Sequence, residues 1–469
     1  MRLCDIISGC EADIEIYGIT DDSRCVKTGF VFFANDKKFI DRAYLAGACA
    51  VVCEKGVEVA KNLPIPVFFV ENVKMAYAVS CQKLCGMPGE SMRLVAVTGT
   101  NGKTSTTMIL RRIFSYAGRK CGVIGTTGNY IGDEKLETDY TTPPPDKLAK
   151  ILMKMKDAGV EYVFIEASSH ALDQHRLGGL EFDAGIFTNL SRDHMDYHKS
   201  VDEYAAAKAR LFEKSRRSVI NLDDAYAKYM GFHSSGEVVY FSKQDKSADY
   251  TAKNIECKIG RTSFDLCGDD LVHISTALTG GFYVYNASLS VIAAALLGID
   301  EKTSAAALRD MPIIDGRMER VIFDSVDVLI DYAHTPDALE NALKTLKPLT
   351  RGRLIVVFGC GGNRDAGKRA EMGKIAARYA DLTVITSDNP RNEDPEEIIR
   401  QIECGVSSGA LYEKVTDRAE AIRFALGTAK EGDVVLVAGK GHENYVIDAA
   451  GKHHYSDKEQ ILEYFKRNG

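Results

Sequence analysis

The sequence predicts an α/β protein of three domains: a smaller mixed α/β domain over residues 1–90, a central domain built on a parallel sheet over 91–316, and a third α/β domain over 317–469. Three observations lead there. At 469 residues the chain exceeds what one hydrophobic core organises. From Leu94 onward short β-rich runs alternate with helical stretches, and a second alternating series begins near Arg317. Strand and helix in alternation set parallel strands side by side, with helices over both faces.

In the first ninety residues FVFFA (30–34), AVVCE (50–54) and VFFVE (67–71) read as short strands and MAYAVSCQKLCG (75–86) as a helix. The central series runs LVAVT (94–98), TSTTMILRRIFSYAG (104–118), CGVIGTT (121–127), DKLAKILMKMKDAG (146–159), YVFIEAS (162–168), GIFTNL (185–190) and SVINLD (218–223). Between Tyr250 and Gly281 the looser alternation of TSFDLCG and LVHISTALTG predicts an antiparallel excursion, followed by a helix over NASLSVIAAALLG (286–298). The last series, VLIDYA, LIVVFGC, LTVITSD and VVLVAGK, with helix-compatible segments between its strands, is Rossmann-like. Boundaries fall near Gly89 and Gly316, with no long linker, repeat or low-complexity tract at either.

Lys and Arg total 59 against 66 Asp and Glu, a net charge of −7 that gives no electrostatic case for nucleic acid. The N-terminal stretch carries no basic region followed by an apolar run, and no segment approaches eighteen uninterrupted apolar residues, so the expectation is a cytoplasmic chain without membrane insertion, working as a monomer on small molecules. Twelve cysteines are scattered without Cys-x-x-Cys spacing; Cys81 and Cys85, the nearest approach, fit a helix better than a zinc site.

Chemistry concentrates first at Gly99-Thr100-Asn101-Gly102-Lys103-Thr104, which follows a predicted strand and opens a predicted helix. Backbone N–H groups at such a helix start point at phosphate oxygens, Lys103 adds a positive charge, and Thr104 offers a hydroxyl to Mg²⁺. The commoner P-loop pattern has a glycine five residues before Gly102, where this chain has Val97.

The string TGTNGKTST resembles the nucleotide loop of the muramyl ligases and folylpolyglutamate synthetases, which lack that glycine as a family trait. Eight further strings follow in order and extend the resemblance to the muramyl ligases from Val97 to Glu443: IEASSHALDQHR, FTNLSRDHMDYH, YAAAKARLF, DGRMER, DYAHTPDAL and FGCGGNRDAGKR, then DNPR with GKGHE. The resemblance implies a P-loop-type central ATPase domain and an ATP- and Mg²⁺-dependent ligase that joins meso-2,6-diaminopimelate to UDP-N-acetylmuramoyl-L-alanyl-D-glutamate in cell-wall assembly. The same reaction with lysine or another diamine, a polyglutamate synthetase, and a nucleotide-binding protein without turnover are the competing readings.

By the same resemblance Gly99 to Ser105, Asn286, Arg317 and His334 would hold the nucleotide, and Lys103, Lys208 and Arg317 would serve the chemistry. Thr104, Glu166, His194 and a carbamylated Lys208 would ligate Mg²⁺. The polar company of His194, namely Asn189, Asp193, Asp196 and His198, favours a site over an isolated loop histidine. The chemistry is coherent: joining a carboxylate to an amine in water requires a phosphorylated carboxylate, which brings anions together and needs cations to offset their repulsion.

Arg391 offers a planar fork for a carboxylate and Glu443 a partner for an ammonium, so an amine ending in a second amino-acid head group suits both. The family pattern adds Arg364, Asp388, Asn389, Pro390 and Gly439 on that side, and Thr141, Thr142, Ser168, Gln174 and Arg176 toward the muramoyl dipeptide. Asp21 and Ser23, with Arg24, would face the uridine. Three departures stand out: the loop FFANDKKFIDRA is short and lacks the usual histidine, Leu289 replaces a second asparagine after Asn286, and Asn363 stands where an acid is common.

Overall fold

Apolar runs of β-branched residues build three separate sheets, and the site lies where the second and third meet. The protein was studied as a computed structural model, which describes residues 1–7, 13–60, 63–195, 197–323 and 326–468. The N-terminal sheet is wholly parallel, in the order β1 (Gly18–Thr20), β2 (Phe30–Ala34), β3 (Ala48–Glu54) and β4 (Val67–Val70). Its covering helix, Val73–Leu84, is started by Asn72, whose side chain accepts the Met75 N–H at 2.8 Å. Cys81 lies in this helix and Cys85 caps it. FFANDKKFIDRA begins in β2 and continues through a single 3₁₀ turn, Lys37–Phe39, into a short helix, Ile40–Leu45.

The central sheet has eleven strands: β5 (Arg93–Thr98), β6 (Cys121–Gly125), β7 (Gly128–Ile131), β8 (Glu134–Leu136), β9 (Tyr162–Glu166), β10 (Ala184–Phe187), β11 (Arg217–Asn221), β12 (Glu237–Ser242), β13 (Tyr250–Lys258), β14 (Arg261–Cys267) and β15 (Leu271–Thr276). Their spatial order is β15-β14-β13-β12-β11-β10-β5-β9-β6-β7-β8. The middle is parallel, and both edges turn antiparallel through β13–β15 and β6–β8. The anticipated excursion after Tyr250 therefore extends the same sheet, because β13 continues the ladder beside β12. The second edge, β7 and β8, is too short and polar to announce itself in sequence.

Helices Lys103–Tyr116 and Phe282–Leu296 cover one face, where Ile109, Ile113, Phe114 and Leu289 pack against Val95 and Phe164. Helices Pro145–Asp157 and Val201–Ala209 contribute Leu148, Leu152, Tyr204 and Ala205 to a second cluster with Ile165 and Phe187.

The third sheet comprises β16 (Glu319–Phe323), β17 (Val326–Asp331), β18 (Leu354–Phe358), β19 (Leu382–Ile385), β20 (Tyr412–Lys414) and β21 (Val434–Ala438), in the order β16-β17-β21-β18-β19-β20. All neighbours are parallel except β16, an antiparallel edge strand formed by ERVIF that the alternation did not reveal. A hairpin, β22 (Tyr445–Asp448) and β23 (Gly451–His454), closes over the end of β21. One apolar cluster runs from Tyr283 and Ile292 through Met318 to Leu329 and Leu339, so the second and third sheets share a core. No helix among the described residues is long and apolar enough to cross a membrane.

Candidate active site

The loop between β5 and the helix Lys103–Tyr116 turns through two glycines of positive φ, Gly99 and Gly102. At Gly99 a Cβ would stand 1.9 Å from the Thr188 hydroxyl and 3.0 Å from the Asn189 carbonyl, so only glycine lets the loop lie against the end of β10. Thr188 and Asn189 hold the loop, the Thr188 hydroxyl donating to the Asn101 carbonyl at 2.6 Å and Asn189 accepting the Asn101 N–H at 3.0 Å. The Lys103 ammonium donates to the carbonyls of Gly99 and Thr100 at 2.8 and 2.9 Å, which places it over the loop's concavity; burial pulls its pKa down.

Behind the loop, β9 ends on Glu166, 1% exposed. Its carboxylate accepts from the Thr104 hydroxyl at 3.0 Å and from the Thr126 hydroxyl and N–H at 2.9 Å each. The Thr104 hydroxyl in turn accepts from Arg317 Nη2 at 3.0 Å, so a guanidinium from beyond the central sheet touches the first turn of this helix. Arg317 also stacks on Tyr332 with its guanidinium carbon 4.7 Å from the ring centroid.

His194 has φ +56 and its N–H donates to the Asp193 carboxylate at 2.8 Å. Desolvation at the cleft, outweighing Asp193 and reinforced by Lys103 and Lys208, pushes its imidazole down to about 4, leaving a neutral ring. Lys208, 1% exposed on the helix Val201–Ala209, lies 4.4 Å from the Tyr204 ring centroid. Burial and the nearby Lys103 push its amine well below the usual lysine range. Thr100 to Ser105, Glu166, His194, Lys208, Asn286 and Arg317 all line one cavity of about 630 Å³, and His334 reaches it from the third domain.

A second cavity of about 590 Å³ opens from the carboxyl edge of the third sheet and takes in Arg364, Asp388, Asn389, Arg391, Gly439 and Glu443. Arg391 donates to the Gly362 carbonyl at 2.8 Å; Asn389 Nδ2 donates to Glu443 at 3.0 Å. Burial and the neighbouring Asp388 raise the Glu443 carboxyl. The cavities share Thr141, Asp193, His194, Tyr332, His334 and Asp337 as a common wall.

Residues 97–294 match the Mur ligase middle domain and residues 316–441 the Mur ligase glutamate ligase domain. The UDP-N-acetylmuramoyl-L-alanyl-D-glutamate–2,6-diaminopimelate ligase 1 of Clostridium acetobutylicum is 40% identical, over 98% of this chain and 97% of its own. The chain belongs to the Mur ligase family. A solved UDP-N-acetylmuramoyl-L-alanyl-D-glutamate–2,6-diaminopimelate ligase superposes on this Mur ligase with a TM-score of 0.72 at 34% identity, covering 100% of this chain and 99% of that one. The MurF ligase of Thermotoga maritima, solved with ADP, shares the fold at a TM-score of 0.62 and 20% identity, over 97% of this chain and 98% of that one.

Not every residue expected from sequence reaches a cavity of this Mur ligase. Thr142, Gln174 and Arg176 sit behind the wall as a relay. Arg176 donates to the Thr142 carbonyl at 2.8 Å and to Gln174 Oε1 at 2.8 Å, while the Thr142 hydroxyl meets Ser168 at 3.1 Å. Of that group Ser168 and Thr141 line the first cavity. Pro390 and Gly99 shape their loops without lining either space. Asp21 and Ser23 lie in the N-terminal domain outside both cavities; Asn35 donates to Asp21 at 3.4 Å, so the short loop does approach that carboxylate. Leu289 is fully buried in the core, while Asn286 faces the cavity above Gly102. Asn363, at φ +52, accepts the Asn392 N–H at 3.2 Å and serves the loop's turn. Asp196 lies outside the described residues.

Four contributors went unanticipated. Asp331 ends β17, accepts the N–H groups of Met318 and Ala333 at 2.7 and 2.9 Å, and lines the first cavity. Tyr332 carries Arg317, Asp337 spans the two domains, and Lys440 is buried under the second cavity. All four fall inside strings quoted above, DYAHTPDAL and GKGHE, so the signal was present but undivided.

Proposed function

We propose that this Mur ligase spends ATP to activate the terminal carboxylate of UDP-N-acetylmuramoyl-L-alanyl-D-glutamate as an acyl phosphate and joins it to meso-2,6-diaminopimelate. The observation that carries the reading is the common wall: the nucleotide loop and the Arg391–Glu443 pocket open toward each other across His194, Tyr332 and His334. An amine held in the second cavity is thereby aimed at a carboxylate activated in the first. Neutral His194 keeps a nitrogen lone pair for a metal ion, and burial disfavours the charged form of the Lys208 amine.

The donor set fits Mg²⁺ shared with phosphates. Among the described residues no three His, Cys, Asp or Glu side chains gather to hold a metal alone, and Mg²⁺ in phosphoryl sites commonly takes one or two carboxylates, with substrate oxygens and water completing its shell. Glu166, the Thr104 hydroxyl, His194 and a carbamylated Lys208 would hold the ion, which when bound would supply charge neutralisation. Lys208 reaches the carbamate when its neutral amine adds to CO₂, forming an N–C bond and releasing a proton. Lys103 and Arg317 offset the charge on the transferring phosphoryl group. Thr141 and Ser168 face the acceptor, and the Arg176 relay orients them. Asp21, Ser23 and Arg24 take the uridine end. The working units are residues 1–90, 91–316 and 317–469, and the enzyme acts in the cytoplasm, where ATP is available.

The test is ADP formation with the UDP-linked dipeptide against diaminopimelate, lysine, ornithine and no amine. Turnover strictly requiring acceptor and diaminopimelate is expected. Equal ATP consumption without amine, or preference for lysine, would overturn the reading.

A further inference from the structure

Lys440 is a lysine with no exposed surface, set after Gly439 at the end of β21 beneath the second cavity. Its ammonium donates to Asn389 Oδ1 at 3.0 Å and to the Tyr445 carbonyl at 2.8 Å, and stands 3.4 Å from Asp388 and 3.6 Å from Glu443. Burying an ammonium is unfavourable unless it is paired and hydrogen-bonded, so this arrangement has to be satisfied on several sides at once, and it is.

The consequence falls on Asn389. Its Oδ1 accepts from Lys440 and from the Ile447 N–H at 2.9 Å, two groups that can only donate. Both lone pairs of the oxygen are thereby used, and the orientation of the amide is set by chemistry. Nδ2 must face the opposite way. One of its hydrogens goes to Glu443 at 3.0 Å; the other has no protein partner among the described residues, and Asn389 lines the cavity.

Charge leads to the same point. Asp388 and Glu443 both line the cavity, and Gly439 lets Asp388 close in, since a Cβ there would stand 2.8 Å from Asp388 Oδ2. Two carboxylates against one buried ammonium leave a single negative charge, the complement of one further cation. A free amide N–H and the Arg391 guanidinium beside that charge are the complement of a carboxylate.

Resting on the function proposed above, we propose that Lys440 is a positioning residue for the amine substrate: it locks Asn389 with its N–H groups toward the cavity and leaves one carboxylate charge uncompensated, so that the pocket selects a zwitterionic amino-acid head group over a lone ammonium. Lysine, whose far end carries only an ammonium, leaves the free Asn389 N–H without an acceptor and the Arg391 guanidinium without a carboxylate. Sites built on such donors reject the analogue that lacks the matching acceptor.

The test is steady-state kinetics of the full-length enzyme carrying Lys440→Met, which keeps an aliphatic stem without the ammonium, or Lys440→Gln, which keeps N–H donors without the charge. The expected result for Lys440→Met is a KM for diaminopimelate raised by about tenfold or more, an ATP KM and acceptor KM within about twofold of the parent, and a kcat/KM preference for diaminopimelate over lysine reduced by about tenfold. If the Met variant does not fold, as judged by its melting and its ADP affinity, Lys440→Gln, which can still donate to Asn389 but carries no charge, is expected to raise the amine KM and lower the preference by about threefold or more. An unchanged amine KM and preference in a folded variant would overturn the proposal, as would an equal loss toward all three substrates, which marks a structural role. Should the parent enzyme prefer another amine, the substrate assignment fails while the KM of that amine still tests Lys440.

Discussion

The carboxylate of Asp337 accepts a hydrogen bond from Asn101 Nδ2 at 2.8 Å, and a second from the Ser191 hydroxyl at 3.0 Å. A side chain of the third domain is thereby hooked onto the glycine-rich loop of the second. Hydrogen bonds to a charged group contribute about 1.5–3 kcal/mol each. Asp337→Ala is accordingly expected to reduce kcat/KM for ATP by roughly tenfold or more, with a smaller effect on melting. Steady-state kinetics with ATP varied, alongside a melting curve, checks it; an unaltered kcat/KM would show that the hook does not contribute to closure.

Lys208 offers a direct chemical assay. Lys208→Ala is expected to lower kcat by about a hundredfold or more, and added short carboxylic acids to restore part of it by supplying the missing carboxylate. Lys208→Arg, whose guanidinium stays charged and does not form the carbamate, is expected to be unrescued. Intact-mass measurement under CO₂ reads the modification itself.

Arg391 donates to the Gly362 and Asn389 carbonyls at 2.8 and 3.3 Å, so its guanidinium is held at the cavity wall before substrate arrives. Arg391→Lys removes the planar fork while keeping the charge. The expected outcome is a rise of about tenfold in the KM for diaminopimelate with little change for ATP, measured by phosphate release.

Behind the pocket, Arg418 and Asp457 form a buried pair, 4% and 0% exposed, with contacts of 2.7 and 2.8 Å. Arg418 also donates to the Ala438 carbonyl at 2.8 Å and so secures the end of β21. Removing one member of a buried pair costs about 3–5 kcal/mol. Asp457→Asn is expected to lower stability on that scale in denaturant titration, whereas an exposed pair such as Arg423–Glu420 falls below about 1 kcal/mol when Glu420 is changed to Gln.

His442 predicts an acid-side loss. Burial, with Arg317 and Lys135 nearby, pushes its imidazole down from 6.5 to about 3. In the unfolded chain the ring takes up a proton as pH falls through the usual histidine value; in the folded protein it stays neutral to much lower pH. The unfolded state thus binds more protons across that window, and stability falls as pH is lowered from 6.5 toward 3. His442→Gln is expected to flatten the slope of unfolding free energy against pH there by up to about one proton, read from denaturant melts between roughly pH 6 and pH 4.

Much of this was legible beforehand because the deciding features are local. A glycine-rich turn between a strand and a helix, a glutamate ending an apolar run, and a lysine in an alanine-rich helix all sit within a few residues of what identifies them. The edge strands β7, β8 and β16 and the hairpin β22–β23 were not legible, since each is short and takes its conformation from pairing with a neighbour. Pro390 and the Arg176 relay show the converse limit: a motif names residues together without saying which of them face the cavity.

Taken alone, the sequence determined the family, the succession of α/β segments and many of the residue types that gather at the two cavities, because those depend on short-range pattern and side-chain chemistry. The tertiary structure alone decided that Asp337 reaches Asn101, 236 positions away, and that Lys440 orients Asn389, 51 positions away. Such partnerships depend on which sheet edges the shared core brings face to face, and no spacing along the chain records that.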